Sequence, residues 1–557
     1  MRQTTLSVVL EVEPASVDYL SDLIEDLKGT EDVQLPGQTE RYLRLKQGVP
    51  LLHFMSISVF EDPHYDPIFV LEANFDGPSG IFWAQLEAVH GAKLRTMLRC
   101  CKRPSDDDGP LYDAVTEPDS RYPIAPYLEA RTLRPSVFHH GNRGLDRNRI
   151  LREGELFLAT RKELAQSCPE EVNPYRMMGN AERIHAALRE ALRPAFPWLD
   201  EPAPTRISPA ERASDLTKLA AFLFVVLVCV SVPGIFIALI ARWDRFLLLF
   251  GCLAVLVYVL LYRMRAPFHG QAAPARSGGL TLGSLSTKNA RTSLAHPATF
   301  TGVILGALMA YLLLASLLGT LATMLMTDRE FGQLWWPSFK NVALGLASGV
   351  FFTIPAIVAW LRWLERRDSS QDAPHVHQNL LRQMERREDR IAQNHMGSVV
   401  LVKPGVLRMA LFRAGHLGLG LVLRVVATDG YLGSMRTVHF AHWAFVNNGS
   451  RLMFFSNFDH SWDSYLDDFI EKAHGGLTLS WGSGVGFPPT RFLVLDGASH
   501  GRKFKAWARH SMAVSRFWFS AYKDFTVDQI ERHARIAEGL RKAALTPEKA
   551  ALWARDL

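Results

Sequence analysis

The sequence predicts an α+β protein interrupted by a membrane-embedded helical block, and three observations carry that expectation. Four long apolar runs crowd into the middle of a 557-residue chain. The stretches on either side repeat one order of strand-like and helix-like segments around matching landmark residues. Charged residues, 21% of the total, lie mostly outside the apolar runs, and many of the cations sit beside them.

The apolar runs are Leu219–Ala241, Phe246–Tyr262, Ala298–Met326 and Asn341–Leu361. Each approaches or exceeds the roughly 20 residues needed to cross about 30 Å of hydrocarbon, and a soluble core would have difficulty burying four of them in one block. Only Arg242-Trp243-Asp244-Arg245 separates the first two, so they form a tight hairpin. Arg206, Arg212 and Lys218, then Arg263, Arg265, Arg276, Lys288 and Arg291, then Arg362, Arg366 and Arg367 fall on one side. The other side has Arg242, Arg245, Arg329 and Lys340. The heavier side is expected to be cytoplasmic, which places both termini there, in a bacterial inner membrane. Trp335-Trp336 reads as an anchor at the far interface.

Two GxxxG patterns, Gly302 with Gly306 and Gly345 with Gly349, permit close helix packing within the chain or between copies as a homo-oligomer. Pro233-Gly234 and Pro355 are expected to kink their spans. No Asp, Glu, Lys or Arg lies inside a span, which argues against an ion pathway. The net charge of +6 comes without a basic run interleaved with aromatics, so lipid headgroups are the expected partner and nucleic acid is not. The five cysteines have neither metal-ligand spacing nor a disulfide framework. Met1 to Pro14 lacks the basic start and apolar run of a signal peptide.

The flanking halves read alike. Leu52-His53-Phe54, two strands, Asn74-Phe75-Asp76 and a helix ending at His90-Gly91 stand in the first. Val438-His439-Phe440, two strands about the turn Asn447-Asn448-Gly449, Asn457-Phe458-Asp459 and a helix ending at His474-Gly475 stand in the second. Ser7–Leu10 and Ser398–Leu401 open the two copies as strands, and Phe138–Gly141 and Phe517–Ser520 precede their last helices. Each copy reads β-α-β-β-α-β, a ferredoxin-like pattern, and two copies are expected to pair sheet to sheet. The division is repeat 1 over 1–205, the membrane block over 206–365, a charged linker over 366–396 and repeat 2 over 397–557.

A paired unit of this kind in one chain resembles the dimeric α+β barrel superfamily, which includes dye-decolourising peroxidases, chlorite dismutases and small monooxygenases. The segment from His439 to Ile530 is also similar to bacterial membrane proteins of unassigned function labelled peroxidase- or catalase-like. The resemblance is one of architecture; the GxxDG stretch of the dye-decolourising peroxidases is absent. The nearest echo of their proximal-histidine region is His139-His140 ahead of Arg149–Gly154. The resemblance implies a peroxidase-like oxidoreductase acting on a small lipophilic substrate, with haem as its cofactor and His474 and His140 as candidate cofactor-binding residues. The alternative is a non-catalytic membrane-tethered module that binds a lipid or a protein.

His53 and His439 occupy equivalent strand positions and are the candidate acid/base pair. A structural hydrogen bond is the competing account. His442 is three residues from His439 and is expected on the opposite strand face. Asp76 and Asp459 are candidate catalytic carboxylates, or N-caps of the helices that follow them. His90 and His474 are expected at helix C-termini, where a protonated imidazole is favoured. The glycine-rich Gly482–Pro489 lacks the features of a phosphate loop and reads as a loop or lid. Val406–Val426 is apolar with four basic interruptions, suited either to the membrane interface or to packing between the copies.

Overall fold

The computed structural model describes residues 3–32, 43–62, 65–165, 174–267, 272–274, 297–370, 374–427, 430–432 and 435–557. Cys168, Arg276, Lys288, Arg291 and the Pro63-His64 part of the turn Asp62–Pro67, the longer turn of the first copy, lie outside these residues. Among those described, the chain is α+β, with two main antiparallel sheets and several long apolar helices.

The first half contributes β1 (Gln3–Glu11), β2 (Leu52–Phe60), β3 (Ile68–Asp76), β4 (Thr132–Leu133) and β5 (Val137–His140). The second contributes β6 (Gln393–Leu401), β7 (Val438–Val446), β8 (Arg451–Asp459), a small ribbon of β9 (Thr490–Arg491) and β10 (Leu495–Asp496), and β11 (Phe517–Ser520). The sheet orders are β11-β2-β3-β1-β4 and β5-β7-β8-β6. The last strand of each half therefore joins the sheet of the other: Phe517 pairs with Ile57, and Val137 with Trp443. The repeat pattern alone points to strands that close within their own copy. The segment 132–140 instead touches its own sheet at Leu133, opposite Ser7, before crossing to the second sheet.

The alternation of β3 explains the two faces of the first sheet. Phe69, Leu71, Ala73 and Phe75 enter the core under the first-half helices. Val70 faces the second sheet, where it packs with Ala444, Val446, Met453 and Phe455. All nine β3 residues are buried, as a strand covered on both faces requires.

Numbered helices are α1 (Val17–Asp32), α2 (Ser79–Leu98), α3 (Arg147–Leu164), α4 (Pro209–Ile240), α5 (Trp243–Arg263), α6 (Pro297–Met326), α7 (Phe331–Arg366), α8 (Val406–Val426), α9 (Trp462–Trp481), α10 (Gly501–Ser511) and α11 (Val527–Arg541). The helices expected to stop at His90-Gly91 and His474-Gly475 continue past them; each is kinked there instead, at His90 in α2 and Ala473 in α9. His90 is thus a mid-helix residue bonded to buried Glu31 (2.5 Å), not a helix terminus.

Among the described residues, five helices are long and apolar enough to cross a membrane: α4, α5, the Ile304–Met326 part of α6, α7 and α8. The first four answer the four expected runs, and α8 is the fifth. Pro355 follows a π-helical turn at Gly349–Thr353, while α4 passes through Pro233 as one helix. Gly345 and Gly349 let α7 press against α4: a Cβ on Gly345 would lie 2.9 Å from the Ser231 carbonyl, and one on Gly349 2.9 Å from that of Val230. That GxxxG is engaged within the chain, whereas nothing lies within 4 Å of a Cβ placed on Gly302 or Gly306.

Candidate functional site

Between the sheets runs a seam whose character changes along its length. One end is apolar, formed by Phe60, Ile68, Val70, Ala444, Val446 and Met453. The middle holds Glu72, a fully buried carboxyl. Ser56 Oγ donates to its Oε2 (3.2 Å), Asn74 Nδ2 donates to its Oε1, and Asn457 reaches it from the second sheet. Burial pushes the Glu72 carboxyl from 4.5 up to about 8, outweighing those donors, so it is protonated at neutral pH. Around it, Ser7 Oγ bonds His442 Nε2 (2.8 Å), Trp518 Nε1 donates to Asn457 Oδ1 (2.8 Å), and Ser515 Oγ bonds His395 Nδ1 (2.7 Å). Burial lowers both His395 and His442 to about 3, which leaves them neutral. The middle of the seam is thus polar but uncharged, the form in which polar groups tolerate a dry interior.

At the far end stand His53, Asp76, His439 and Asp459. His53 Nε2 lies 3.0 Å from Asp76 Oδ2, and its Nδ1 bonds the Tyr522 hydroxyl at 2.8 Å. His439 Nε2 bonds Asp459 Oδ1 at 2.8 Å. The two pairs interleave: His53 packs on Phe440 at 5.3 Å, and His439 on Phe54 at 5.2 Å. A register shift at Leu52/Phe54 and another at Val438/Phe440 set both histidines at an irregularity. The second shift breaks simple alternation, so His439 and His442 both reach toward the first sheet, contrary to the expected opposite faces.

Each aspartate does accept from the first amide of a helix, but not of the one that follows it in sequence, and the side-chain caps of those two helices are Asp146 and Thr526. Asp76 Oδ2 accepts from the Arg147 amide at the start of α3, and Asp459 Oδ2 from the Val527 amide at the start of α11, both at 2.8 Å. The helix after Asp459 is capped by Ser461 instead. Arg147 ties the first pair down further by donating to the carbonyls of Lys46 and Val49. The halves also differ five residues before these helices. Tyr522 stands five residues before the start of α11 and meets His53; the corresponding Asn142 turns to Glu531 Oε1 (2.9 Å) and the Val527 carbonyl. Among the described residues, His439 Nδ1 consequently has no partner.

The proposed cofactor histidines do not converge. His140 bonds Thr5 Oγ1 (3.1 Å) and packs on Phe440 at 4.9 Å, near the His53 pair. Burial and neighbouring His139 and His53 depress its basicity well below 6.5. His474 sits in α9, on the outer side of the second sheet, whose Tyr465 packs on Phe458. The apolar slot on that side, between Trp443, Phe454, Trp481 and Trp507, has a volume of ≈ 30 Å³. Ligand sites usually span roughly 300–1,000 Å³, so the slot does not fit a haem macrocycle. A larger hollow, ≈ 640 Å³, is a shallow acidic groove lined by Asp18, Glu61, Asp62, Tyr65 and Asp66, and neither His140 nor His474 is among its described lining.

A second constellation lies where the sheets meet the membrane helices. Arg362, fully buried near the end of α7, donates to the carbonyls of Met264, Ala266 and Thr490, and pairs with Glu365 at 3.0 Å. Glu365 in turn accepts from the amides of Phe492 and Leu493, whose φ values of 52° and 70° turn both N–H groups onto the carboxylate. At the start of α4, Asp215 holds Arg143 (2.7 Å) and Arg424 (3.4 Å).

Helix α8 bridges these anchor points. Its Leu411 and Phe412 share a cavity of ≈ 80 Å³ with Leu361 and Glu365 of α7, while Gly418 abuts Phe222 of α4. Its Phe412 and His416 pack on Phe445 of the second sheet, and Val406, Leu407 and Leu417 point outward, exposed. One face of this segment therefore packs against protein, and another is left bare.

No known protein family, no curated protein and no solved structure matches this chain. Glu72, Tyr522, Arg147 and the Arg362–Glu365 pair are functional residues that the motifs and repeat landmarks of the sequence do not mark. A lone acid after the apolar Ile68–Leu71, in a strand buried along its whole length, is the local signal for Glu72.

Proposed function

We propose that this chain is a membrane-anchored lipid-binding module, built from two ferredoxin-like units of the dimeric α+β barrel kind that exchange their last strands. Its two-sheet body lies against the cytoplasmic leaflet of a bacterial inner membrane, and α8 rests in the plane of that leaflet. The observation that carries this reading is the outward apolar face of α8, with Leu417 52% and Val406 91% exposed, on a helix that touches α4 at Phe222 and the end of α7. Strand pairing supports it. The chain enters α8 from β6 and returns to β7, and both strands pair with β8, so α8 cannot deliver them to opposite sides of a bilayer.

In this reading the His–Asp pairs are clamps. They are sealed from solvent and each aspartate is shared with a helix amide. Spin labels at Leu417→Cys and Val406→Cys in nanodisc-bound protein test the placement. Shielding from a water-soluble relaxant with exposure to oxygen is expected; water-like accessibility at both sites overturns it. The unpartnered His439 Nδ1 favours one second reading, an oxidative site on a lipophilic substrate. It requires peroxide-dependent turnover that is lost in His439→Phe while folding is retained.

A further inference from the structure

The cavity of ≈ 80 Å³ at the membrane junction is lined by Leu361, Glu365, Asp368, Lys403, Arg408, Leu411, Phe412, Thr478 and Leu479, with Gly482, Ser483, Thr490 and Leu493. Its acids are already neutralised. Glu365 is held by Arg362, by Thr490 Oγ1 (2.8 Å) and by the Phe492 and Leu493 amides. Asp368 pairs with Lys403 at 2.8 Å and accepts from Ser370. Lys403 is itself buried, with 6% exposure, and also donates to the Gly482 carbonyl. Arg408 differs: among the described residues it has no hydrogen-bond or ion-pair partner, and it lines the same cavity. Counting Arg362 with the lining, three cations face two carboxylates, which leaves one positive charge. The first turn of α8 adds to this, because no side chain caps it and its dipole is positive at that end. Leu361, Leu411 and the partly exposed Leu479 give the opening an apolar wall.

We propose that this cavity seats the phosphate of an anionic phospholipid headgroup, bound by Arg408 with Lys403 beside it. The acyl chains leave over Leu411 and Leu479 toward the outward face of α8. The proposal rests on the interfacial placement of α8 and names what that surface recognises. Arg suits the task because its planar fork can hold two phosphate oxygens at once. Its position at the level where α7 leaves the apolar run matches the depth of a headgroup, which a purely soluble metabolite would not need.

Full-length protein in maltoside is titrated with phosphatidylglycerol or phosphatidylcholine, and retained lipid is counted by native mass spectrometry. Expected is a preference for phosphatidylglycerol that falls about tenfold in Arg408→Ala and recovers partly in Arg408→Lys. Arg502→Ala, an exposed cation on α10, leaves it unchanged. Leu479→Trp, which fills the rim, lowers retention and provides an independent measure should Arg408→Ala fail to fold. Equal retention by the wild type and either the Arg408→Ala or the Leu479→Trp variant overturns the site. Displacement of lipid by millimolar inorganic phosphate or glycerol 3-phosphate overturns the lipid as occupant. Spin labels on α8 that report lipid contact while Arg408→Ala binds normally reject this site alone; water-like labels reject the membrane reading beneath it.

Discussion

Glu72→Gln isolates the proton held at the centre of the seam. The carboxyl keeps its proton to a pH of about 8 in the folded chain, against 4.5 for an unburied glutamate. Folding therefore binds a proton between those values, so the contribution is full below 4.5 and is lost as pH rises through 8. At about 1.36 kcal/mol per unit, the full window is worth roughly 5 kcal/mol, an upper bound for one buried group. For a body of this size that is on the order of 10 °C in Tm. Gln keeps an oxygen for Asn74, and the Ser56 hydroxyl can rotate to accept from the new amide, so the variant should match the wild type near pH 5. By pH 8.5 the variant should melt higher by several degrees, read by tryptophan fluorescence in maltoside. His395 and His442, both lowered to about 3, act in the opposite sense and below pH 6.5, because the unfolded chain takes up their protons there. The interval from 6.5 to 8 is therefore where Glu72 should dominate among these groups. Parallel melting curves for wild type and Glu72→Gln across that interval would refute a protonated seam.

Other perturbations follow from the same geometry. Asp459→Ala strips both the acceptor of the Val527 amide and the His439 partner, and should cost about 2–4 kcal/mol in thermal or urea unfolding; a loss below about 1 kcal/mol contradicts the clamp. Tyr522→Phe leaves His53 Nδ1 without its 2.8 Å partner and should cost about 1–2 kcal/mol, measured in the same way. Gly141→Ala places a Cβ 2.1 Å from the Val438 carbonyl oxygen, and backbone cannot yield cheaply. Little folded protein should be recovered on size-exclusion chromatography. Glu365→Gln removes the charge opposite Arg362 and should speed proteolysis of the following linker, followed by peptide mapping, while the sheets stay intact.

The membrane block was the most legible part of the chain, because its signal is local: an apolar run is visible residue by residue, and α4 to α7 fall where the runs lie. The three-stranded cores were legible for a similar reason, since His53 and His439 mark equivalent places on paired strands. Strand exchange was not legible. Val137–His140 and Phe517–Ser520 are short and apolar on either possible partner, and only the closed three-dimensional arrangement decides which edge each one joins. The helix that each aspartate meets was hidden in the same way. Asp76 sits just ahead of α2 in sequence, yet α3 arrives from 71 residues away to take its Oδ2. The bulge at Val438/Phe440 reversed an otherwise sound alternation argument for His442, and one inserted residue suffices for that.

Strand exchange also constrains how the molecule is assembled across a bilayer. Each sheet takes one of its two edge strands from the other half, so β5 must find β7 and β11 must find β2 after the membrane block has been threaded. On the proposed topology this is possible only if the block between residues 209 and 366 crosses an even number of times, which α4, α5, α6 and α7 satisfy without α8. The anchors at both ends of the block then have a common role. Asp215 joins the first turns of α4 to Arg143, three residues after β5, and Glu365 joins the end of α7 to the loop that precedes α10 and β11. Each exchanged strand is thus followed or preceded by a contact that fixes it relative to a membrane helix. A displacement of α4 against α7 would reach the seam through those two contacts, and it would meet there a row of neutral, mutually bonded groups rather than compressible apolar packing.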